Sequence, residues 1–260
     1  MSHRVFNALP AARYVHPKAF ENGAQAGEHD HALDIASEAS PNYLRWIADL
    51  CKPHLGHDVM DVGAGHGAIT EHFAAGRSVL ATDLSDTCVA AMRRRFAAAP
   101  NVEVQKADLR ELGPEEVGRR FDSIVLINVL EHIEDDAGAL AHLAGCLRPG
   151  GAFVVYVPAL NGLFGPWDRK VGHFRRYSKW RLRGVAAAAG LQVVELRYVN
   201  LLAIPAWLAF SRLSMRVNED PGTSLSLWDR TGVPLSRLIE SRVRPPLGLN
   251  LLCVAQTPDR

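Results

Sequence analysis

Val59-Met-Asp-Val-Gly-Ala-Gly-His-Gly-Ala-Ile-Thr70 predicts a buried strand, a glycine-rich turn and the start of a helix. The residues before the first glycine are mostly apolar, as a strand inside a parallel sheet requires. Glycines at three alternate positions allow a tight turn and bring backbone N–H groups close to a ligand. The stretch therefore predicts a ligand site at the end of the first strand of an α/β fold.

Two classes of enzyme use such a turn. Gly63, Gly65 and Ala68 satisfy the G-x-G-x-x-G/A fingerprint of nicotinamide and flavin dinucleotide sites. Asp61, followed by Gly63, Gly65 and Gly67, also resembles the first motif of the class I S-adenosylmethionine-dependent methyltransferases. A dinucleotide brings a pyrophosphate that a nearby carboxylate repels, whereas S-adenosylmethionine carries a sulfonium and an ammonium. Asp61 therefore favours S-adenosylmethionine.

The next predicted strands end in polar residues that match the same family. Asp83 follows the glycine turn by about 20 residues, where a Rossmann-type fold places the acid that binds a ribose diol. The resemblance implies that Asp108 accepts a hydrogen bond from the adenine amino group. Asn128-Val-Leu-Glu-His132 is similar to the family's fourth motif, which lies near the transferring methyl group. The cofactor contacts that the resemblance implies are Tyr43, Asp61, Gly63, Gly65, Asp83, Leu84, Asp108, Leu109 and Asn128.

Strands and helices alternate from residue 41 onward, which predicts a seven-stranded, mostly parallel sheet with helices on both faces. The resemblance implies that the seventh strand, near Leu249–Gln256, inserts antiparallel beside the sixth. Helices are expected at Leu201–Val217 and Leu225–Val243. We assign residues 1–40 to an N-terminal lid and residues 41–260 to a methyltransferase domain. Within that domain, the 158–178 loop and the 200–248 insertion are expected to form a cap on the acceptor side.

Composition and charge argue against several classes of function and location. A hydrophobic content of 48% and a formal net charge of +1 argue against a nucleic-acid partner, which would require a basic face. The four cysteines are scattered and form no C-x-x-C pair, which predicts reduced thiols in a cytoplasmic protein. The longest apolar run, Leu201–Phe210, is shorter than the roughly 20 residues of a transmembrane helix. We expect a cytoplasmic protein without a signal sequence or transmembrane segment, for which a homodimer is one possible assembly.

Two histidines are candidates for the general base that methyl transfer to a hydroxyl group calls for. His132 follows the fourth strand, and the pKa of histidine lies near the working pH. An equally good alternative is that His132 packs against, or caps, a helix that starts near Asp135. Glu131 is a second option for orienting the cofactor or accepting the proton.

The segment Gly172-His-Phe-Arg-Arg-Tyr-Ser178 recurs in a subset of bacterial members of this family. His173 is the other candidate base, and Arg176, or Arg175, would bind a carboxylate or phosphate of the acceptor through paired N–H groups. Tyr177 would line the substrate pocket. The alternative is that the basic residues form a solvated helix face and that Ser178 is the helix N-cap.

No metal is expected from the sequence. His29 and His31 are two positions apart, so they would not share a helix face, and Asp135 and Asp136 more simply favour a helix N-terminus. The prediction is O-methylation of a small, largely apolar metabolite, with or without an acidic group. Alternatives are C- or N-methylation of a natural product or of a lipid or quinone precursor, a nicotinamide-dependent oxidoreductase, and a non-methylating S-adenosylmethionine-binding protein.

Overall fold

Seven strands form one sheet in the order β3-β2-β1-β4-β5-β7-β6. The computed structural model describes residues 40–213 and 221–258, so the predicted lid over residues 1–39, with His29 and His31, lies outside the described residues. The strands are β1 (Asp58–Val62), β2 (Ser78–Asp83), β3 (Val102–Lys106), β4 (Phe121–Ile127), β5 (Leu147–Pro158), β6 (Gln192–Val199) and β7 (Asn250–Gln256).

The direction of each strand determines where the site lies. Strands β1 to β5 are parallel to one another, and β7 is antiparallel to both β5 and β6. Six carboxyl ends, those of β1 to β6, therefore lie along one edge of the sheet. The predicted seven-stranded, mostly parallel sheet and its antiparallel seventh strand are confirmed.

Helices cover both faces of the sheet. They are α1 (Pro41–Cys51), α2 (Thr70–Phe73), α3 (Asp86–Arg95), α4 (Pro114–Val117), α5 (Asp136–Ala144), α6 (Pro166–Lys170), α7 (Lys179–Ala188), α8 (Ala203–Leu213) and α9 (Pro221–Glu240). Leu140 of α5 and Leu182 of α7 belong to the apolar core on one face. Ile47 of α1 and Met92 of α3 belong to the core on the other face.

The insertion between β6 and β7 contains the two expected helices with shifted bounds. Helix α8 ends at Leu213, and residues 214–220 lie outside the described residues. Helix α9 begins at Pro221 and ends at Glu240, whose carboxylate accepts hydrogen bonds from Asn200 N at 3.1 Å and Leu201 N at 2.9 Å. The far end of the insertion is thereby fastened to the carboxyl end of β6.

The hydropathy of the helices and the state of the cysteines were both predicted from the sequence. No helix in the described part of the chain is long and apolar enough to cross a membrane. All four cysteines are buried free thiols, as their scattered positions predict.

Asp229 of α9 caps a helix that lies far from it in the sequence. Ser40, at the N-cap position of α1, makes no side-chain capping bond. The Asp229 carboxylate instead accepts hydrogen bonds from Asn42 N at 3.1 Å, Asn42 Nδ2 at 2.9 Å and Tyr43 N at 2.8 Å. Asp229 is buried, so these bonds to a charged group join the insertion to the first helix of the domain.

We expect Asp229→Ala to lower the free energy of unfolding by about 1–2 kcal/mol, because it leaves the N–H groups of Asn42 and Tyr43 without their acceptor at the partly buried start of α1. Urea unfolding monitored by circular dichroism measures the change. The control is Asp86→Ala, which removes an exposed pair with Lys106 and should cost less than about 1 kcal/mol. Equal losses in the two variants would contradict a capping role for Asp229.

Candidate functional site

The glycine turn after β1 forms a cradle at the carboxyl edge of the sheet. Gly63, Gly65 and Gly67 have positive φ angles of 70°, 58° and 75°. A Cβ atom at Gly63 would lie 2.6 Å from Val129 Cγ2, and one at Gly67 would lie 2.5 Å from Phe96 Cε2. Backbone conformation and packing therefore both require glycine here, and the turn presents main-chain groups without side chains.

Asp61 lies beneath this turn. Its side chain is 3% exposed and accepts a hydrogen bond from Thr70 Oγ1 at 2.7 Å. Burial raises the pKa of Asp61 to about 7; the Thr70 bond opposes the shift, and repulsion from Asp83 adds to it. A positive ligand group near the turn would favour the ionised form of Asp61.

Asp83 connects the end of β2 to the glycine turn. One carboxylate oxygen accepts a hydrogen bond from Gly65 N at 2.9 Å, and the other accepts one from Ser85 N at 2.9 Å. Ser85, rather than Asp83, is the N-cap of α3, because its side chain accepts a bond from Cys88 N. Leu84 is 43% exposed at the same edge. Asp83 is thus fixed in orientation at the position where the sequence predicted a diol-binding acid.

The predicted adenine contacts lie at the end of β3. Asp108 accepts a hydrogen bond from Arg110 N at 3.0 Å and pairs with the Arg110 guanidinium. Leu109, beside it, packs against the apolar core. An adenine amino group at this place would share the Asp108 carboxylate with Arg110.

Asn128 and Tyr43 complete the predicted cofactor set. Asn128, directly after β4, is exposed and has a φ of 53°, which is uncommon for a residue other than glycine. The Tyr43 hydroxyl is hydrogen-bonded with the Tyr156 hydroxyl at 2.9 Å, and burial raises the pKa of Tyr43 to about 12. Tyr43 therefore points its polar end into the protein, so a contact with the cofactor would have to come from its ring.

The two candidate bases, His132 and His173, lie side by side. Their rings meet edge to face, with centroids 4.7 Å apart. His132 ends a short 3₁₀ turn after β4, and His173 comes from the loop after β5. A hydrogen bond of 2.8 Å from Phe174 N to Glu131 O fastens this loop to that turn. The structure thus brings together two histidines that are far apart in the sequence.

Asp168 orients His173. Its carboxylate is fully buried and lies 2.9 Å from His173 Nδ1. It also accepts hydrogen bonds from Arg176 Nε at 2.9 Å and Gly165 N at 2.9 Å. Although burial opposes it, the bonds from His173, Arg176 and Gly165 lower the pKa of Asp168. An ionised Asp168 holds a proton on Nδ1 of His173 and directs Nε2 towards Glu131, whose Oε1 is 3.9 Å away.

The structure gives the basic residues of this loop and Tyr177 structural contacts, in contrast to the predicted substrate contacts. Arg176 is 3% exposed, is paired with Asp168 and lies 4.6 Å from the centre of the Trp207 ring. Arg175 donates to Ile133 O and Glu134 O and pairs with Asp136. Tyr177 is fully buried, and its hydroxyl donates to Leu130 O and Asp136. A solvated arginine face does not describe Arg176, which is buried, whereas Ser178 is the N-cap of α7 as expected.

Glu131 is a further member of the site. Its side chain is fully buried, and within the described part of the chain neither carboxylate oxygen has a hydrogen-bond partner. Burial raises the pKa of Glu131 to about 8. One ligand atom from each of Glu131, His132 and His173 lies within 4.8 Å of the others. Such a buried and unpaired carboxylate is costly, which makes this cluster a candidate for chemistry.

Asp168 was missed by reasoning from the sequence. The local signal is weak: Gly165-Pro-Trp-Asp168 starts a helix, and an acid in its first turn is ordinary. The contacts of Asp168 with His173 and Arg176 depend on how the loop returns to the sheet, which spacing alone does not reveal.

The raised pKa of Asp61 has a consequence for stability. A carboxyl group whose folded pKa of about 7 exceeds its unfolded value of about 4 keeps its proton longer when the protein is folded. Stability is therefore lost as the pH rises from about 4 to 7. We expect the unliganded protein to lose roughly 2 kcal/mol more than Asp61→Asn between pH 5 and pH 8, as measured by urea unfolding. Parallel pH profiles for the two proteins would contradict the assignment.

Comparisons of the sequence with known proteins find similarity to methyltransferases. Residues 60–153 match a family model described as a methyltransferase domain. A ubiquinone biosynthesis O-methyltransferase of Albidiferax ferrireducens is 32% identical over 117 residues, which is 44% of this chain and 46% of that protein. The protein of the same name from Aromatoleum aromaticum is 34% identical over 129 residues, which is 49% of this chain and 53% of that protein. The chain spans about half the length of the curated relatives it matches.

Three solved structures share the fold. A chain in a complex that contains the Haloferax volcanii Trm112 methyltransferase activator aligns with a TM-score of 0.62 at 18% identity, covering 95% of this chain and 99% of that one. Haemonchus contortus phosphoethanolamine N-methyltransferase 2, in complex with S-adenosyl-L-methionine, aligns with a TM-score of 0.57 at 16% identity. The alignment covers 82% of this chain and 52% of that one. The [4+2]-cyclase SpnF aligns with a TM-score of 0.57 at 17% identity, and the alignment covers 83% of this chain and 82% of that one. These findings show that residues 60–153 are similar to a methyltransferase domain and that the chain shares its fold with solved structures of methyltransferases.

Proposed function

We propose that this protein transfers the methyl group of S-adenosylmethionine to a hydroxyl oxygen of a small, largely apolar acceptor. One observation carries the proposal: His132 and His173 lie together where β4 ends. Val129, three residues before His132, is close enough to Gly63 to exclude a side chain there. A proton-accepting cluster therefore lies next to the turn that would hold the methyl donor.

S-adenosylmethionine suits the residues at the sheet edge. Asp83 is already oriented by Gly65 and Ser85, and each carboxylate oxygen can accept further bonds from a ribose diol. Asp61, with its pKa raised by burial, would gain a favourable interaction with a cationic amino acid portion. The bound cofactor would supply an electrophilic methyl group on a sulfonium.

The alternative of a nicotinamide cofactor fits the structure less well. Doubly wound dinucleotide-binding sheets have the order 3-2-1-4-5-6, whereas here an antiparallel β7 lies between β5 and β6. A pyrophosphate also requires a helix N-terminus, but α2 spans only Thr70–Phe73 and begins three residues after the last glycine. Gly65 N is directed at the Asp83 carboxylate, which would repel a phosphate.

The acceptor we favour is a phenol or catechol with an apolar substituent. The named relatives from Albidiferax ferrireducens and Aromatoleum aromaticum are ubiquinone biosynthesis O-methyltransferases, which supports oxygen as the methylated atom. The expectation of an acidic group on the acceptor loses its basis, because Arg175 and Arg176 are paired with Asp136 and Asp168. The 158–178 loop and the 200–248 insertion would cover the acceptor, since Arg176 of the loop contacts Trp207 of the insertion at this edge.

Methyl transfer from a sulfonium is an in-line displacement, so the acceptor oxygen must face the methyl group and lose its proton. His173 is the better candidate for accepting this proton, because Asp168 fixes its orientation and stabilises the protonated ring. His132 borders the same space and would position the hydroxyl group. Glu131, which is fully buried, lies next to both histidines.

Asp83→Ala should weaken the binding of S-adenosylmethionine by about 30-fold or more, because charge-assisted bonds to the ribose hydroxyls are lost. Isothermal titration calorimetry measures the affinity. Asp86→Ala, three residues further along and exposed, is the matched control and should bind normally. Affinity within twofold of the wild type in Asp83→Ala would place the cofactor elsewhere.

His173→Ala should reduce kcat by about 10²-fold or more with catechol and phenol acceptors, while the affinity for S-adenosylhomocysteine stays within threefold of the wild type. Chromatography with mass detection quantifies S-adenosylhomocysteine and the methylated product. His132→Ala should have a smaller effect, and His142→Ala, on the exposed side of α5, should have none.

A larger loss of turnover in His132→Ala than in His173→Ala would reverse the two roles. Tight binding of S-adenosylhomocysteine without any methylated product from hydroxyl or amine acceptors would instead favour a non-methylating protein of the same fold.

A further inference from the structure

We propose that Glu131, His132 and His173 bind a divalent transition-metal ion such as Zn²⁺ next to the acceptor. This inference rests on the proposed function and revises one role in it: with a metal bound, His173 Nε2 is a ligand, so the metal would activate the acceptor hydroxyl in place of His173 acting as a base. It also departs from the expectation of no metal, which considered only the residues adjacent in sequence at His29–His31 and Asp135–Asp136.

The carboxylate of Glu131 is the strongest evidence for a missing positive partner. It is fully buried, and neither of its oxygens has a hydrogen-bond partner among the described residues. Arg176 is the nearby cation that lowers its pKa, but the Arg176 guanidinium is bound to Asp168. Native proteins rarely leave a buried carboxylate without hydrogen bonds unless a positive charge or a metal ion offsets the cost of its desolvation.

Two imidazoles share the space that this carboxylate faces. His173 Nε2 lies 3.9 Å from Glu131 Oε1, and the His132 ring lies against the His173 ring at 4.7 Å. One ligand atom from each of the three residues lies within 4.8 Å of the others. Ligand atoms in a tetrahedral zinc site are about 3.4 Å apart, because the metal bonds are about 2.1 Å long. Small side-chain rotations would close the remaining distance.

Asp168 supplies the outer contact that metal-binding histidines usually have. It lies 2.9 Å from His173 Nδ1, so it fixes the tautomer in which Nε2 is available as a ligand. Arg176 and Gly165 hold Asp168 in place through two further hydrogen bonds. Because these contacts orient His173 before a metal binds, less conformational entropy is lost on metal binding.

The donor set selects the class of metal. Two imidazoles and one carboxylate suit Zn²⁺, Fe²⁺, Co²⁺ or Mn²⁺, whereas Mg²⁺ and Ca²⁺ prefer oxygen donors alone. Three protein ligands leave a coordination position open, as catalytic metal sites require. A phenol or catechol oxygen in that position would release its proton to solvent at a lower pH, which would activate it for methylation.

The test uses full-length protein without a polyhistidine tag, stripped of metal and dialysed against Zn²⁺ or Co²⁺ alone. Elemental analysis should give about one metal per chain for the wild type and for His142→Ala. Glu131→Gln and His173→Ala should each retain less than a tenth as much. Co²⁺-loaded wild type should show the visible absorption bands of a low-symmetry cobalt site, and these variants should not.

Thermal unfolding separates loss of metal from loss of the fold. In metal-free protein, Glu131→Gln should be at least as stable as the wild type, because it removes an unpaired buried carboxylate. Adding Zn²⁺ should raise the Tm of the wild type and of His142→Ala but leave that of Glu131→Gln unchanged. A wild type that binds no more metal than Glu131→Gln, or whose Tm does not respond to Zn²⁺, overturns the proposal.

Because these measurements do not involve methyl transfer, they are independent of the proposed activity. Metal bound without methylated product would overturn the proposed function and leave the site standing. Full turnover by metal-free protein in the presence of a chelator would overturn the metal's role in catalysis and leave the methyltransferase activity standing.

Discussion

The orientation of the candidate base His173 depends on one buried ionised group, the carboxylate of Asp168. It lies in the loop after β5 and binds three partners from that loop: Gly165 at the start of α6, His173, and Arg176. An unpaired carboxylate in this place would be expensive to bury, so the three bonds offset that cost and support one another. Together they hold the loop so that His173 lies against His132, at the turn that follows β4. Arg176, fixed by the same group, also supports Trp207 of the insertion. A single carboxylate thus links the loop, the candidate base and the cap.

The cofactor half is built on a different physical basis. Its parts are backbone features at the ends of parallel strands: a glycine turn with positive φ angles, a left-handed Asn128, and an Asp83 bonded to main-chain N–H groups. These parts require little from distant segments, because the strand order already places β1, β2, β3 and β4 side by side. The same half can therefore serve many acceptors, whereas the acceptor half must be built anew for each of them.

This division explains how much could be predicted from the sequence. The sheet and the polar residues at the strand ends follow from local patterns, because parallel strands bring their carboxyl ends to one edge, whereas the antiparallel last strand was implied only by the family resemblance. Arg176 and Tyr177 were assigned to the substrate because guanidinium and phenol groups commonly bind ligands. The structure shows Arg176 buried against Asp168, earlier in the same loop, and Tyr177 buried against Asp136, at the start of α5. No spacing rule connects those residues, since their contact depends on the path of a loop. The Tyr43 hydroxyl, which the sequence could not orient, is turned towards Tyr156.

Glu131 shows why burial carries information that sequence does not. In the sequence it is one acid beside His132, and an exposed acid before a helix is ordinary. In the structure it is fully buried without a hydrogen-bond partner among the described residues, and burial raises its pKa to about 8. A fold does not gain stability from such a group, because replacing it with a neutral side chain would remove a desolvation cost. Its position beside two histidines is therefore better explained by what it binds than by what it packs against. The desolvation cost of burying Glu131 is therefore itself an indication of the chemistry of the site.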